Sequence, residues 1–161
     1  MNVGITGHQR LGEHEVEQWV ERAIRARLAT CRDLYGLSSL AVGSDQIFAR
    51  AVLDLGGRLE AVLPFPDYEH TFNSANTRAS FCVLLERCSK VTTLKFVETT
   101  ERSYLLAGQY ISDRSDLLIS VWNGEPAAGM GGTADIVAYA NKYRRPIHQL
   151  NPITREILDW D

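Results

Sequence analysis

The chain has 161 residues, a formal net charge of −3, and 45% hydrophobic and 23% charged residues. This length suits one globular domain, and the composition excludes disordered and fibrous proteins. No segment approaches the roughly 18 apolar residues of a membrane helix, and the N-terminal residues do not read as a secretory signal. The acidic balance argues against a protein that binds nucleic acid through its backbone. We therefore expect no membrane partner and no nucleic-acid partner.

Cysteine and histidine usage narrows the class further. Cys31, Cys82 and Cys88 are odd in number and form no Cys-x-x-Cys pair, as is typical of a reducing compartment. The four histidines show no spacing that suits a structural or catalytic metal. We expect a cytoplasmic protein that holds no metal and no cofactor.

Short apolar runs alternate with longer amphipathic stretches along the chain. The predicted strands are residues 2–6, 39–42, 59–63, 91–96, 116–122 and 146–150. The predicted helices are residues 14–31, 45–55, about 77–89, 104–112 and 134–143. This alternation predicts a single α/β domain over residues 1–161, a doubly wound, mostly parallel Rossmann-like sheet with helices on both faces. The tail, residues 153–161, is either a short helix that caps the sheet or a contact with a partner.

Small and polar residues follow the carboxyl ends of the predicted strands, which is where open parallel sheets bind ligands. The candidate ligand-binding residues at this edge, with one arginine from the third helix, are Gly7, His8, Arg10, Gly43, Ser44, Asp45, Pro64, Arg78, Trp122, Asn123, Gly131, Gly132 and Thr133. Four of the twelve glycines fall within residues 123–132. The segment Gly131-Gly132-Thr133 opens the last long helix and is the best candidate for a phosphate site. The alternative is a tight turn that binds nothing.

The individual residues leave alternatives open. Asp45 either hydrogen-bonds a sugar hydroxyl or complements a helix dipole. Arg10 and Arg78 either pair with phosphate or lie on the surface. Trp122 either stacks on a base or is buried in the sheet. Neither a Walker A loop nor a Gly-x-Gly-x-x-Gly fingerprint is present.

Five segments in this order resemble a known family: GITGH at 4–8, GSDQIFA at 43–49, LPF at 63–65 with Tyr68, SDLLISVWNG at 115–124, and GGTADIVAYA at 131–140 with Pro146. The order resembles the SLOG superfamily, which unites the DNA-processing SMF proteins and the Lonely Guy (LOG) phosphoribohydrolases. The resemblance implies a Rossmann-like domain that binds nucleotides or nucleotide-derived ligands. It also implies that the turns at Gly7, 43–45 and 131–133 line the site.

The chain departs from the family pattern at the position that carries chemistry. Lonely Guy enzymes have Gly-Gly-x-Gly-Thr-x-x-Glu, with a catalytic glutamate, and Ile136 occupies that position here. Asp135 is one residue early, about 100° around a helix. Glu125, in the same loop, is a second candidate carboxylate. Asp135 and Glu125 are therefore catalytic candidates only if the protein is an enzyme.

Three functions follow from these observations. The first is a sensor or carrier that binds a nucleotide or nucleotide-derived ligand, with the base against Trp122 or Phe65. The alternative is a nucleotide N-glycosidase or phosphoribohydrolase, or an enzyme similar to the deoxyribosyltransferases. The third is an interaction protein with an empty pocket. A homo-oligomer is also a candidate, formed through the tail residues Ile153, Ile157, Leu158 and Trp160.

Overall fold

A computed structural model of the chain describes residues 1–95, 100–127 and 129–160. The strands are β1 (Asn2–Gly7), β2 (Tyr35–Ser38), β3 (Arg58–Leu63), β4 (Lys90–Thr93), β5 (Leu117–Val121), β6 (Ile147–Leu150) and β7 (Ile157–Trp160). The helices are α1 (His14–Leu28), α2 (Ser44–Asp54), α3 (Ala75–Glu86), α4 (Glu101–Arg114) and α5 (Thr133–Lys142), with a 3-10 turn at Tyr68–Thr71. The predicted α/β fold is confirmed.

The strands form one sheet in the order β4-β3-β2-β1-β5-β6-β7. Every neighbouring pair is parallel except β6 and β7, which are antiparallel. The chain winds outward from β1 to β4 and then crosses to the other side of β1 to form β5. Because the winding direction reverses here, the loops that follow the adjacent strands β1 and β5 lead to opposite faces of the sheet, and the crevice between these loops is where such sheets bind ligands.

Two apolar layers hold the helices on the sheet. Helices α1, α2 and α3 pack on one face, in a core that includes Val20, Phe48 and Phe81. Helices α4 and α5 pack on the other face, around Ile111 and Ile136. The central strand β5 is buried along its whole length, as expected of a parallel strand that is covered on both faces.

The second strand differs from the prediction. Residues 39–42 were expected to form it, whereas β2 spans Tyr35–Ser38 and residues 39–42 form a loop that leads into α2. Leu40 has a positive φ of 57°, which a strand cannot accommodate. The side-chain amide of Gln46 donates to the Leu40 carbonyl oxygen at 3.2 Å. Helix α2 thus supplies a hydrogen bond to the loop backbone that a sheet ladder would otherwise make.

The described part of the tail, residues 153–160, does not form the short helix that was one of its two predicted structures. It forms β7, which pairs with β6 in a hairpin in which the Asn151 N–H donates to the Glu156 carbonyl oxygen at 2.9 Å. The Asn151 side chain accepts hydrogen bonds from the N–H groups of Ile153 and Thr154, which fixes the turn. The predicted fourth strand, residues 91–96, is shorter in the structure, and Phe96 lies outside the described residues.

Candidate functional site

The carboxyl ends of β1 and β5 are joined by hydrogen bonds that leave a crevice above the sheet. The His8 N–H donates to the Val121 carbonyl oxygen at 3.1 Å. Nε2 of the His8 ring lies 3.2 Å from the Asn123 backbone nitrogen and 3.1 Å from the Asn123 side-chain oxygen. The Asn123 side-chain oxygen accepts the N–H of Glu125 at 3.1 Å. These contacts fix the two turns relative to each other.

A cavity of about 510 Å³ lies above this junction and is referred to below as the main cavity. Its size falls within the range of small-molecule sites. The loops after β1, β2 and β5 and the first turn of α5 line it. Among the candidate ligand-binding residues, the main cavity is lined by Gly7, His8, Asp45, Trp122, Asn123, Gly131, Gly132 and Thr133. Residues far apart in the sequence therefore meet in one site.

Asp45 is the buried carboxylate of the main cavity. It is 7% exposed, and its Oδ2 accepts the hydroxyl of Ser38 at 3.0 Å and the N–H of Ser39 at 3.1 Å. Burial raises the pKa of Asp45 to about 6, although the hydrogen bonds from Ser38, Ala41 and Ser39 act in the opposite direction. The carboxylate therefore has neutral donors around it and accepts further hydrogen bonds readily.

Two tyrosines form an aromatic wall of the main cavity. Tyr68 and Tyr104 both line it, and their ring centroids are 6.3 Å apart. Tyr68 packs edge-on against Phe65 and Phe81, which locks its ring. Burial raises the pKa of both phenols, and the charge of Asp45 adds to the effect on Tyr68. Both side chains remain neutral hydrogen-bond donors at physiological pH.

The glycine-rich loop is fixed by two carboxylates. The Gly131 N–H donates to Asp135 Oδ2 at 2.8 Å, and the Met130 N–H donates to Glu101 Oε2 at 3.1 Å. Gly131 has a φ of 84°, and a Cβ there would lie 2.6 Å from the Leu105 backbone nitrogen. Only glycine allows this approach of the loop to α4.

The amides that follow Gly131 are free. Gly132 is the N-cap of α5, and the N–H groups of Gly132, Thr133 and Ala134 donate to no acceptor among the described residues. They open onto the main cavity, which these three residues line. The N–H groups without an acceptor therefore lie one residue further toward the helix than the predicted segment Gly131–Thr133.

The two candidate catalytic carboxylates have different surroundings. Asp135 accepts a hydrogen bond from the Gly131 N–H and does not line the main cavity. Glu125 is exposed at the rim, and its carbonyl oxygen accepts the Trp122 indole N–H at 2.8 Å. Ile136, at the position where the Lonely Guy pattern has a glutamate, is 2% exposed and packs against Gly108 of α4.

The remaining predicted residues lie outside the main cavity. Arg78 forms an ion pair with Glu69 at 3.2 Å. Pro64, the first residue after β3, is buried and is not part of the cavity lining. The Ser44 hydroxyl donates to the His8 carbonyl oxygen at 2.8 Å, and Gly43, with a φ of 85°, lies against the backbone of the same loop. These contacts position the loop after β1 rather than offering groups to a ligand.

Sequence reasoning missed Tyr68, Tyr104 and Glu101 as parts of the site. Tyr104 and Glu101 belong to α4, whose sequence reads as an ordinary amphipathic helix. Their role depends on the glycine-rich loop folding back onto α4, and no local pattern signals that contact. Tyr68 was part of the family resemblance, but nothing assigned its side chain to the cavity. The site also contains no group of three or more metal-ligating side chains within the described residues.

Comparison with known proteins gives the relatives of this fold. No family model matches the chain, and no curated protein matches it. DNA processing protein A (DprA) from Streptococcus pneumoniae is similar over 93% of this chain and 50% of its own, with 18% identity and a TM-score of 0.65. The same protein from Helicobacter pylori, described by its single-stranded DNA binding mode, matches 94% of this chain and 65% of its own, with 18% identity and a TM-score of 0.67.

A second group of similar structures consists of proteins named as carriers of the molybdenum cofactor. The molybdenum cofactor carrier protein from Chlamydomonas reinhardtii is 17% identical, with a TM-score of 0.56, and the match covers 95% of this chain and 78% of the carrier. The chain spans half to two thirds of the DprA proteins, so it corresponds to one part of them. At these identities the likeness is one of fold. No helix of the described residues is long and apolar enough to cross a membrane.

Proposed function

We propose that this chain, which has the Rossmann-like fold of the SLOG superfamily, binds a nucleotide or nucleotide-derived small molecule in the main cavity. The observation that carries the proposal is the cavity itself, at the crevice between the loops after β1 and β5, with three backbone N–H groups at its edge that have no acceptor among the described residues. The similarity to carriers of the molybdenum cofactor supports a small ligand at this fold.

In this proposal the phosphate, the ribose and the base of the ligand each contact a different part of the cavity lining. One phosphate binds the N–H groups of Gly132, Thr133 and Ala134, where the dipole of α5 also favours an anion. A ribose hydroxyl donates to Asp45, whose present partners are all neutral. The base packs against Trp122, while Phe65 is buried behind Tyr68 and does not reach the cavity.

The phosphate contact can be tested through a backbone N–H. Thr133 is the first residue of α5, where proline is tolerated, and Gly132 before it has φ −69° and ψ 171°, which suits a residue that precedes proline. Thr133→Pro therefore removes one free N–H and leaves the helix intact. Thr133→Ala is the matched control, because it removes the hydroxyl and keeps the N–H.

Calorimetric titration with the four nucleoside 5′-monophosphates is the measurement. We expect binding by the wild type and a loss of roughly tenfold or more in affinity for Thr133→Pro, as for a hydrogen bond to a charged group. Thr133→Ala should lose much less. If no monophosphate binds at millimolar concentration, or if the alanine and proline variants lose affinity equally, the proposal is wrong.

The enzyme alternative needs a carboxylate inside the cavity. Asp45 and Glu125 line the cavity, whereas Asp135 holds the glycine-rich loop. The described lining of the main cavity contains no lysine or arginine, which favours a small ligand over a nucleic-acid strand. If the wild type released free base from nucleotides and Glu125→Gln did not, the enzyme alternative would replace the proposed binding function. Tight, salt-dependent binding of single-stranded DNA would overturn the preference for a small ligand.

A further inference from the structure

A second cavity of about 300 Å³ continues from the main cavity. The two cavities share Gln9, Ala41, Tyr68 and Tyr104 in their linings, so a ligand in one has a route to the other. The second cavity adds more than half of the volume of the first. A ligand that fills both is longer than one that fills the main cavity alone.

The two cavities differ in charge. The described lining of the main cavity carries carboxylates and no lysine or arginine. Arg10 is the one charged residue of the second cavity, and the other polar groups there are hydroxyls and amides such as those of Thr71, Asn73 and Ser74. Arg10 makes no ion pair with any described residue. Arg10 therefore favours an anionic group in the second cavity, whereas in the main cavity the groups that favour an anion are the N–H groups at the start of α5, where the first phosphate is proposed to bind.

Tyr68 places a free hydrogen-bond donor at the boundary between the cavities. The residue is 5% exposed, and its hydroxyl has no hydrogen-bond partner in the described part of the chain. The hydroxyl oxygen is not among the fully buried atoms that lack a partner, so it is accessible from the cavities that Tyr68 lines. The hydroxyl group remains protonated at neutral pH and is available to donate to an acceptor on a ligand.

We propose that the nucleotide ligand carries a second anionic group, separated from the first, which Arg10 and the Tyr68 hydroxyl bind in the second cavity. The ligand class is a nucleotide with two separated phosphates, of which a nucleoside 3′,5′-bisphosphate is the smallest example. This inference rests on the proposed function, because the first phosphate occupies the start of α5. Arg10 supplies the charge, and Tyr68 supplies a fixed donor at the passage between the cavities.

The experiment compares three ligands of each of the four nucleosides by calorimetry: the 5′-monophosphate, the 5′-diphosphate and the 3′,5′-bisphosphate. The diphosphate controls for charge, since its two phosphates are adjacent. We expect the wild type to bind the bisphosphate roughly tenfold or more tightly than both of the others. Arg10→Gln should reduce this preference to about twofold or less.

Tyr68→Phe tests the hydroxyl without removing the packed ring. We expect it to lower the affinity for the bisphosphate by roughly tenfold and to leave thermal stability at or above the wild-type value. Tyr143→Phe is the matched control, because Tyr143 is exposed and belongs to the lining of neither cavity.

The outcomes separate this inference from the proposed function. If the monophosphate binds and the bisphosphate binds no more tightly than the diphosphate, the inference is wrong and the proposed function stands. If Arg10→Gln leaves the preference for the bisphosphate intact, the second anionic group binds elsewhere and the inference is also wrong. If none of the three ligands binds for any of the four bases, both are overturned.

Discussion

Asp45 lies at the base of the main cavity with only neutral donors around it. Ser38, Ser39 and Ala41 direct hydrogen bonds at its carboxylate, yet burial keeps its pKa near 6. The sequence predicted that Asp45 lies at the site but left its role open between a sugar contact and a dipole contact. In the structure it is buried and lines the cavity, which favours the role of a ligand acceptor.

The raised pKa predicts how stability depends on pH. The folded protein binds the Asp45 proton more tightly than the unfolded chain, so this group stabilises the fold at pH values below about 4. That stabilisation is lost as the pH rises through about 6, by an amount on the order of 3 kcal/mol. Asp45→Asn stays neutral throughout and should gain stability relative to the wild type between pH 4 and pH 7.

Urea unfolding of both proteins at several pH values measures this difference. Ser39→Ala serves as a control, because it keeps the backbone N–H that donates to Asp45. Parallel stability curves for wild type and Asp45→Asn across this range would contradict the prediction.

Ile136 is buried against α4 and also lines the main cavity, at the position where the Lonely Guy pattern has its glutamate. A Cβ on Gly108 would lie 2.4 Å from Ile136 Cδ1, so the two helices are in close apolar contact at this point. Ile136→Glu would bury an unpaired carboxylate and should lower the free energy of unfolding by about 3 kcal/mol or more at pH 8. The loss should be smaller at pH 4.5, where the carboxyl group is largely protonated.

Urea unfolding at the two pH values checks this expectation, with Ile136→Leu as the apolar control. If Ile136→Glu lost the same free energy of unfolding relative to the wild type at pH 8 and at pH 4.5, the glutamate would reach solvent through the cavity and the prediction would be wrong.

At the level of elements, the glycine-rich loop depends on α4 and α5 for its conformation. Asp135 and Glu101 accept two of its N–H groups. Asp135→Ala should free the Gly131 N–H and increase hydrogen exchange at residues 129–131. The cost to global stability should be about 1 kcal/mol, as for one half-exposed hydrogen bond.

Asp135→Asn is the matched variant, since its side-chain oxygen still accepts the Gly131 N–H. We expect its hydrogen exchange to resemble that of the wild type. Equal exchange in the alanine variant would show that the Asp135 contact does not hold the loop. If Asp135→Asn instead abolished a hydrolytic activity while exchange stayed unchanged, the role of Asp135 would be catalytic.

Sequence patterns predicted well those elements whose secondary structure is determined by the residues within the element. The strand at β5 is a continuous apolar run, and α1 has an amphipathic stripe. The error at β2 has its cause in the next element, because residues 40–42 are apolar but Asp45 and Gln46 of α2 hydrogen-bond to the loop backbone. The strand β7 likewise depends on pairing with β6, which four residues of tail sequence do not specify.

At the scale of the whole molecule, the site follows from the winding of the sheet. Alternating strands and helices were enough to predict that the polar turns meet at one edge, and eight of the predicted ligand-binding residues line the main cavity. The second cavity and the aromatic wall were not predictable in this way. They arise where the 3-10 turn at Tyr68–Thr71 packs beside α4, two segments far apart in the sequence.

The tail predicts self-association of the whole chain. Ile153, Ile157 and Leu158 are 73%, 48% and 51% exposed, on or beside the edge strand β7. Exposed apolar residues on an unpaired strand edge favour contact with another chain. Trp160, also predicted to contribute, packs partly against the core that includes Ile147 and is less available.

We therefore expect light scattering at high protein concentration to give a mass above the 18.0 kDa of one chain. The double variant Ile157→Lys with Leu158→Lys should return the mass to that of a monomer, because two charges on the strand edge repel a second copy. Val83→Lys is the control, since Val83 is 57% exposed on α3, away from this edge. A monomeric wild type, or a variant at Val83 with the same effect as the tail variant, would show that β7 is a free edge and not an interface.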